Sequence, residues 1–223
     1  MTEIVFRSDT PEHIKNEVLE KAKKWKPRPK GKVGGIGIND ADYMVACSHL
    51  SNNEQWICPI YSKWRDMIGR VAGSNTYKSR KSYIECTIHP DWISFMSFRK
   101  WALDNGWRED YVLDKDLLSC GNKMYGPDTC CFIPNYINLF IADKALGNNQ
   151  HRGVTKGKRD VRYLALISNP LTHIRERYRT LTPELASKIV EHRRWCFAQY
   201  LAATLEDMRV ADALRSKFSN PFV

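Results

Sequence analysis

Residues 111–146 contain the breaks that most restrict how this chain can fold. Tyr111-Val-Leu is a short apolar run with strand character that stops at Asp114. Gly121-Asn-Lys and Gly126-Pro are turn sequences, and residues 130–133 form a second apolar run. Asn135-Tyr-Ile-Asn-Leu-Phe-Ile-Ala-Asp-Lys-Ala-Leu then repeats its apolar residues at helical spacing, with Pro134 at or next to the first turn. Strand, loop, strand, helix is the order this dictates. The loop crowds carboxylates, lysines, amides and thiols between its apolar flanks. It is therefore either a surface turn or the floor of an active site.

The remaining elements read less tightly. Asp9-Thr-Pro-Glu predicts a helix start with Thr10 as N-cap and Pro11 at the first helical position. Ile14, Val18 and Trp25 continue that helix to a stop before Pro27, and a basic linker follows to residue 31. Val33-Gly-Gly-Ile-Gly-Ile is a Gly-rich strand or turn. It is not a phosphate loop, because neither a helix signal nor a Lys-Ser/Thr pair follows it. Trp64, Met67, Ile68 and Val71 share one helical face. Tyr83-Ile-Glu-Cys-Thr-Ile reads as a strand. Asp91 opens an aromatic-rich helix whose rings, at helical spacing, belong in a core.

A break at residues 147–153 precedes a basic C-terminal part. Arg162-Tyr-Leu-Ala-Leu-Ile-Ser is strand-like, and Thr182-Pro-Glu-Leu-Ala opens a helix with Thr182 as N-cap. That helix carries enough apolar surface to be either internal core or the face of a homodimer. Three regions follow: 1–31 as helix and linker, 32–147 as the main domain, and 148–223 as a basic sheet-plus-helix region.

Composition narrows the function classes. The 43% hydrophobic and 27% charged content is that of a soluble globular protein, the order of strands and helices makes it α+β, and no apolar run reaches the roughly 18 residues of a membrane span. The formal charge of +10 makes a polyanion the first partner to consider, with a solvated basic surface as the plain alternative. The seven cysteines include no Cys-x-x-Cys pair, so reduced and partly buried thiols are expected. Cys47-Ser-His49 with Cys58 is too loose a set of ligands, and the sequence argues against structural zinc.

Several blocks together resemble the phage-type HNH homing endonucleases. These are Val33-Gly-Gly-Ile-Gly-Ile-Asn-Asp-Ala-Asp-Tyr, Cys58-Pro-Ile-Tyr-Ser-Lys-Trp-Arg-Asp-Met, Leu113-Asp-Lys-Asp, Gly121-Asn-Lys-Met-Tyr, and Cys131-Phe-Ile-Pro followed by Ile137-Asn138. The similarity covers residues 32–140. It extends more weakly through Gly153-Val-Thr-Lys and Thr182-Pro-Glu-Leu-Ala. It implies a ββα-metal core, an Apetala-type DNA-binding element in the C-terminal region, cleavage or nicking of double-stranded DNA with Mg²⁺ or Mn²⁺, and a phage setting in the host cytoplasm.

Carried over by position, the resemblance makes Asp114 the metal-binding acid and Asn138 the last metal ligand. Lys115 stands where the histidine base belongs, and Thr129 where the loop-stiffening asparagine belongs. An ordinary lysine, protonated at neutral pH, cannot take a proton from water. Lys115 is then an electrostatic contact to phosphate, and Asp116, a histidine such as His89, or a metal-bound hydroxide has to supply the base. Phosphate contacts are expected from Lys63, Arg65, Arg70, Lys78, Arg80 and Lys81, and from Lys156, Lys158, Arg159, Arg162, Arg175 and Arg177. Three readings stay open: a nuclease with a relocated base, a silent HNH-derived DNA binder, and a phage protein that binds a host protein. Asp114 as a simple turn cap is the competing structural role.

Overall fold

The computed structural model describes residues 2–27, 31–73, 83–142, 151–156 and 161–223. The fold is mixed α and β, with six α-helices and nine short strands among the described residues. It packs as two compact units, Met1–Phe132 and Ile133–Val223. Lys78, Arg80, Lys81, Lys158 and Arg159, and the break placed at residue 147, lie outside the described residues.

The first unit is organised around α2 (Pro59–Val71). Pro59 sits at the first helical position, where its missing N–H costs nothing. Trp64, Met67 and Ile68 are fully buried on one face, as the spacing predicts. The Gly-rich segment lies directly on that face. A Cβ on Gly37 would stand 2.9 Å from the Trp64 ring, and one on Gly34, whose φ is +56°, would stand 2.9 Å from Ile68 Cγ2. Those glycines let backbone approach a helix rather than a phosphate.

The helix α1 (Glu12–Lys23) adds Ile14 and Val18 to the same core, so the N-terminal helix is part of this unit. It starts one residue later than expected. Pro11 is the cap, and its carbonyl accepts from the Ile14 and Lys15 amides, while Thr10 makes no cap bond. Strands β1 (Ala46–Cys47) and β2 (Trp56–Ile57) pair antiparallel. The aromatic helix proves to be two pieces, a 3-10 turn at Pro90–Ile93 and then α3 (Phe95–Asp104). The Asp40 carboxylate accepts from Ser94 Oγ and the Met96 amide at the α3 start, so the Asn-Asp-Ala-Asp segment has a capping role. Trp92, Phe95 and Phe98 are buried in the core, as their spacing requires.

Of the expected strand at residues 83–88, only Thr87–Ile88 forms one, β3. It pairs in parallel with β5 (Met124–Tyr125), which lies between the two expected turns. Strand β4 (Tyr111–Asp114) ends at the acid as expected, and pairs with β6 (Cys131–Pro134), where the first unit ends.

In the second unit, α4 (Asn135–Ile141) follows directly on β6. Strands β7 (Val154–Lys156), β8 (Tyr163–Ser168) and β9 (Arg175–Thr180) form an antiparallel sheet in that order. One face of it packs on α5 (Pro183–Ala202), whose first turn is capped by Thr182 Oγ1 accepting from the Leu185 amide at 3.2 Å. Val154, Ala165, Ile167, Ala186, Val190 and Phe197 form that core. Leu185, expected on the apolar side of α5, is 44% exposed. A last helix, α6 (Met208–Ser216), packs on α5. No helix among the described residues is long and apolar enough to cross a membrane.

Candidate functional site

The loop between β4 and β6 is built on Asp114. Its Oδ1 accepts from the Leu117 amide at 2.7 Å and the Asp116 amide at 3.0 Å, which turns the chain sharply after the strand. Asp114 is thus the turn cap that the plainer reading foresaw, and the same bonds fix its carboxylate in place. Oδ2 has no hydrogen-bond partner among the described residues. Burial raises the Asp114 pKa above the ordinary carboxylate range. The two amides and Lys115 pull it down, and Asp116 pushes it further up.

That shift has a consequence for stability. A carboxyl with a folded-state pKa above its unfolded value binds more protons folded than unfolded between the two values. Stability therefore falls as pH rises through that interval, and the penalty persists at neutral pH. Asp114→Asn keeps an oxygen for the two amides and removes the charge. The variant is expected to show a higher thermal midpoint than the parent at pH 7, with the difference closing as the pH falls towards 4. Matching pH profiles for parent and variant would exclude this account.

Lys115 points inward and is only 6% exposed. Its Nζ donates to Asp116 Oδ1, and to the Asn122 carbonyl at 3.1 Å. It therefore braces the loop across seven residues. The Asn122 side chain folds on the same turn, donating to the Met124 carbonyl at 2.6 Å and accepting from the Met124 amide at 3.1 Å. Thr129 Oγ1 bonds to the same Met124 carbonyl at 2.8 Å and contacts the Gly126 carbonyl at 3.3 Å. Thr129 thus braces the turn between residues 124 and 129. Lys115→Met, which keeps the volume and removes the donor, leaves the Asn122 carbonyl unpaired. It is expected to lower the unfolding free energy by about 1–3 kcal/mol in urea titration. A change of a few tenths would mean that the lysine does not brace the loop.

His89 lies beside this loop: a Cβ on Gly126 would be 3.2 Å from His89 Cβ. Its Nδ1 accepts from the Asp91 amide at 3.3 Å, capping the 3-10 turn. A neutral ring in that arrangement carries its proton on Nε2 and has no lone pair there to accept another. Asn138 is in α4 and belongs to the second unit, whereas Asp114, Lys115 and Asp116 belong to the first. The Asn138 backbone carbonyl accepts from Ala142, and its side chain makes no hydrogen bond among the described residues.

Of the thiols at this loop, Cys120 is exposed and those of β6 and its approach are buried. Cys130 and Cys131 are both in the core, 0% and 2% exposed. Burial pushes the Cys130 thiol up to about 12. Cys47 and Cys58 are also buried. Cys47 bonds to the Ser48 carbonyl and Cys58 to Tyr43 Oη, so both serve as small core residues. Among the described residues no group of three or more His, Cys, Asp or Glu side chains is placed to hold a metal ion.

The basic residues divide by what they touch. Arg65 is exposed, whereas Arg70 lies over the Tyr83 ring at 5.3 Å. Lys63 is half-buried, and its pKa is lowered by that burial and by the neighbouring Arg7.

The sheet of the second unit is different. Buried Ala165 and Ile167 of β8 stand opposite Tyr178 and Glu176 of β9, so those four residues face α5. Glu176 completes that side with a bidentate pair to Arg193, both bonds 2.7 Å. Arg175, Arg177 and Arg179 then necessarily alternate onto the other face, opposite Ser168, Leu166 and Leu164. All three are exposed and make no ion pair or hydrogen bond among the described residues. Arg177 and Arg179 line a groove of about 510 Å³ with Lys156, Arg162, Thr155, Tyr163 and Leu164, and no carboxylate borders it among the described residues. Lys156 Nζ sits 4.8 Å from the centre of the Tyr163 ring. Arg179 was missed from sequence. Strict charge alternation in Arg175-Glu-Arg-Tyr-Arg-Thr was the signal that could have found it.

Comparison with protein-family models, with curated proteins and with solved structures found no match to this chain.

Proposed function

We propose that the protein binds double-stranded DNA through the β7–β8–β9 face, as an HNH-type protein whose C-terminal unit is its Apetala-type DNA-binding element. One observation carries this: three arginines alternate along an exposed sheet face, unpaired among the described residues, beside a groove lined by further cations and, among those residues, by no acid. Backbone phosphates reward free guanidinium groups, because each contact releases condensed counterions. A sheet face also fits the major groove, about 12 Å wide, where arginine can reach guanine edges as well as phosphate. Titration of a fluorescent duplex at several salt concentrations tests the proposal. Micromolar or tighter binding at low salt with a steep salt slope is expected, and its absence would dismiss the reading.

A second reading, divalent-metal-dependent cleavage of that DNA, is favoured by the state of Asp114. Its Oδ1 is anchored by two amides, and its Oδ2 is left uncommitted at the end of a braced strand. A carboxylate oxygen is a hard donor that suits Mg²⁺ or Mn²⁺. A bound ion would lower the pKa of a coordinated water and offset charge on the phosphate. Lys115, committed to Asp116 and Asn122, holds the loop rather than taking a proton, and Asp116 is engaged by Lys115. The His89 tautomer set by Asp91 offers no acceptor at Nε2. On this reading the chain positions the metal and supplies no side-chain base of its own. Cleavage should be slow, EDTA-sensitive, and lost in Asp114→Asn. Plasmid relaxation that persists in that variant would remove Asp114 from the chemistry. A phage or mobile element acting in host cytoplasm is the setting that goes with this proposal.

A further inference from the structure

We propose that Cys196 is a base-activated thiol, a modification site for thiol–disulfide exchange with low-molecular-weight disulfides, set up by His192 and Asn220 in the second unit. Positions 192 and 196 are one turn apart on α5, so their side chains meet on one face. Cys196 Sγ lies 3.6 Å from His192 Nε2, and His192 Nδ1 lies 3.1 Å from Asn220 Oδ1. Asn220 Oδ1 also accepts from the Phe222 amide at 3.1 Å, which settles which end of the amide faces the ring. An amide oxygen only accepts, so His192 Nδ1 carries the proton and Nε2 presents its lone pair to the thiol. The imidazole is held by two rings. Trp195 stacks on it at 5.7 Å, and Phe222 meets it edge-on at 5.3 Å. Thiol, oriented imidazole and orienting amide form the arrangement that turns a cysteine into a nucleophile.

Accessibility together with a histidine at the sulfur separates Cys196 from the other six cysteines. Cys47, Cys58, Cys86, Cys130 and Cys131 are buried, and Cys120 is exposed but has no hydrogen-bond partner among the described residues. Cys196 is partly exposed and alone has a histidine at its sulfur among the described residues. The reaction balances without any further oxidant. Nε2 takes the proton from Sγ, and the thiolate attacks one sulfur of the small disulfide. The disulfide bond breaks as the new Cys196 mixed disulfide forms, and the departing thiolate takes the proton from His192. One disulfide is replaced by another, and one thiol by another.

The test uses the full chain, oxidised glutathione as the disulfide, and mass spectrometry to follow each cysteine-containing peptide in time. Cys196 is expected to react at least about tenfold faster than Cys120 in the same molecules, and His192→Gln to bring it down to the Cys120 rate. Equal rates for the two cysteines in the parent, or an unchanged ratio in His192→Gln, would overturn the proposal. A misfolded variant would reveal itself by reaction at the five buried cysteines. In that case Asn220→Ala, which lies outside any helix, decides. Slowing of Cys196 that Asn220→Asp restores supports the relay, and a ratio unaffected by Asn220→Ala refutes it.

Discussion

The triple variant Arg175→Ala, Arg177→Ala, Arg179→Ala is expected to bind duplex DNA roughly 500-fold more weakly at roughly 0.1 M salt. It should also lose about 2.7 from the slope of log K against log salt. The slope follows from three phosphate contacts at about 0.9 each, and the affinity loss is the same quantity read at one salt concentration. The three side chains are exposed and unpartnered among the described residues, so their removal should change folding stability by no more than about 0.5 kcal/mol each. Binding and folding are therefore separable in this variant. Arg193→Ala is the contrasting control: it breaks the bidentate pair to Glu176 that ties β9 to α5, and its main effect should be on the sheet's stability. A triple variant with the parent's salt slope would show that DNA, if bound, is bound elsewhere.

Trp64→Ala is expected to lower the unfolding free energy of the first unit by about 3–5 kcal/mol, from the volume it leaves empty in a close-packed core. Its ring is fully buried against Tyr61 and Phe95, and it underlies Gly37. Its Nε1 donates to the Trp92 carbonyl at 2.8 Å, so the variant also orphans a buried acceptor, which places the effect at the upper end of the range. The consequence reaches the candidate site by a short route. Trp92 belongs to the 3-10 turn that His89 caps, and the His89 amide donates to the Tyr125 carbonyl in the Asp114 loop. Urea titration followed by far-UV circular dichroism measures the loss. A shift under about 1 kcal/mol would mean that the core relaxes into the space, contrary to its packing.

Part of this architecture was legible in the chain because local rules govern it. Pro59 and the Thr182-Pro pair mark helix starts, since a ring without an N–H and a hydroxyl that accepts an amide suit only the first turn. Trp64, Met67 and Ile68 had to share a face, and that face had to be buried. The strand that ends at Asp114 was visible for the same reason. Strand β5, two residues long, was not. It exists through parallel pairing with β3, more than thirty residues earlier, and nothing local in Met124-Tyr announces that partner.

The candidate site divides along the same line. Sequence alone determined the net positive charge, the alternation of arginines along Arg175–Thr180, and the placing of an acid, a lysine and a second acid at the end of a strand. Only the tertiary structure decided that Lys115 turns inward to the Asn122 carbonyl while Asp114 keeps one oxygen uncommitted, and that the Arg175, Arg177 and Arg179 face is turned away from α5. The reason is physical. Charge and period belong to the chain itself, but burial of an ammonium group or exposure of a sheet face depends on which distant backbone and helix arrive beside it.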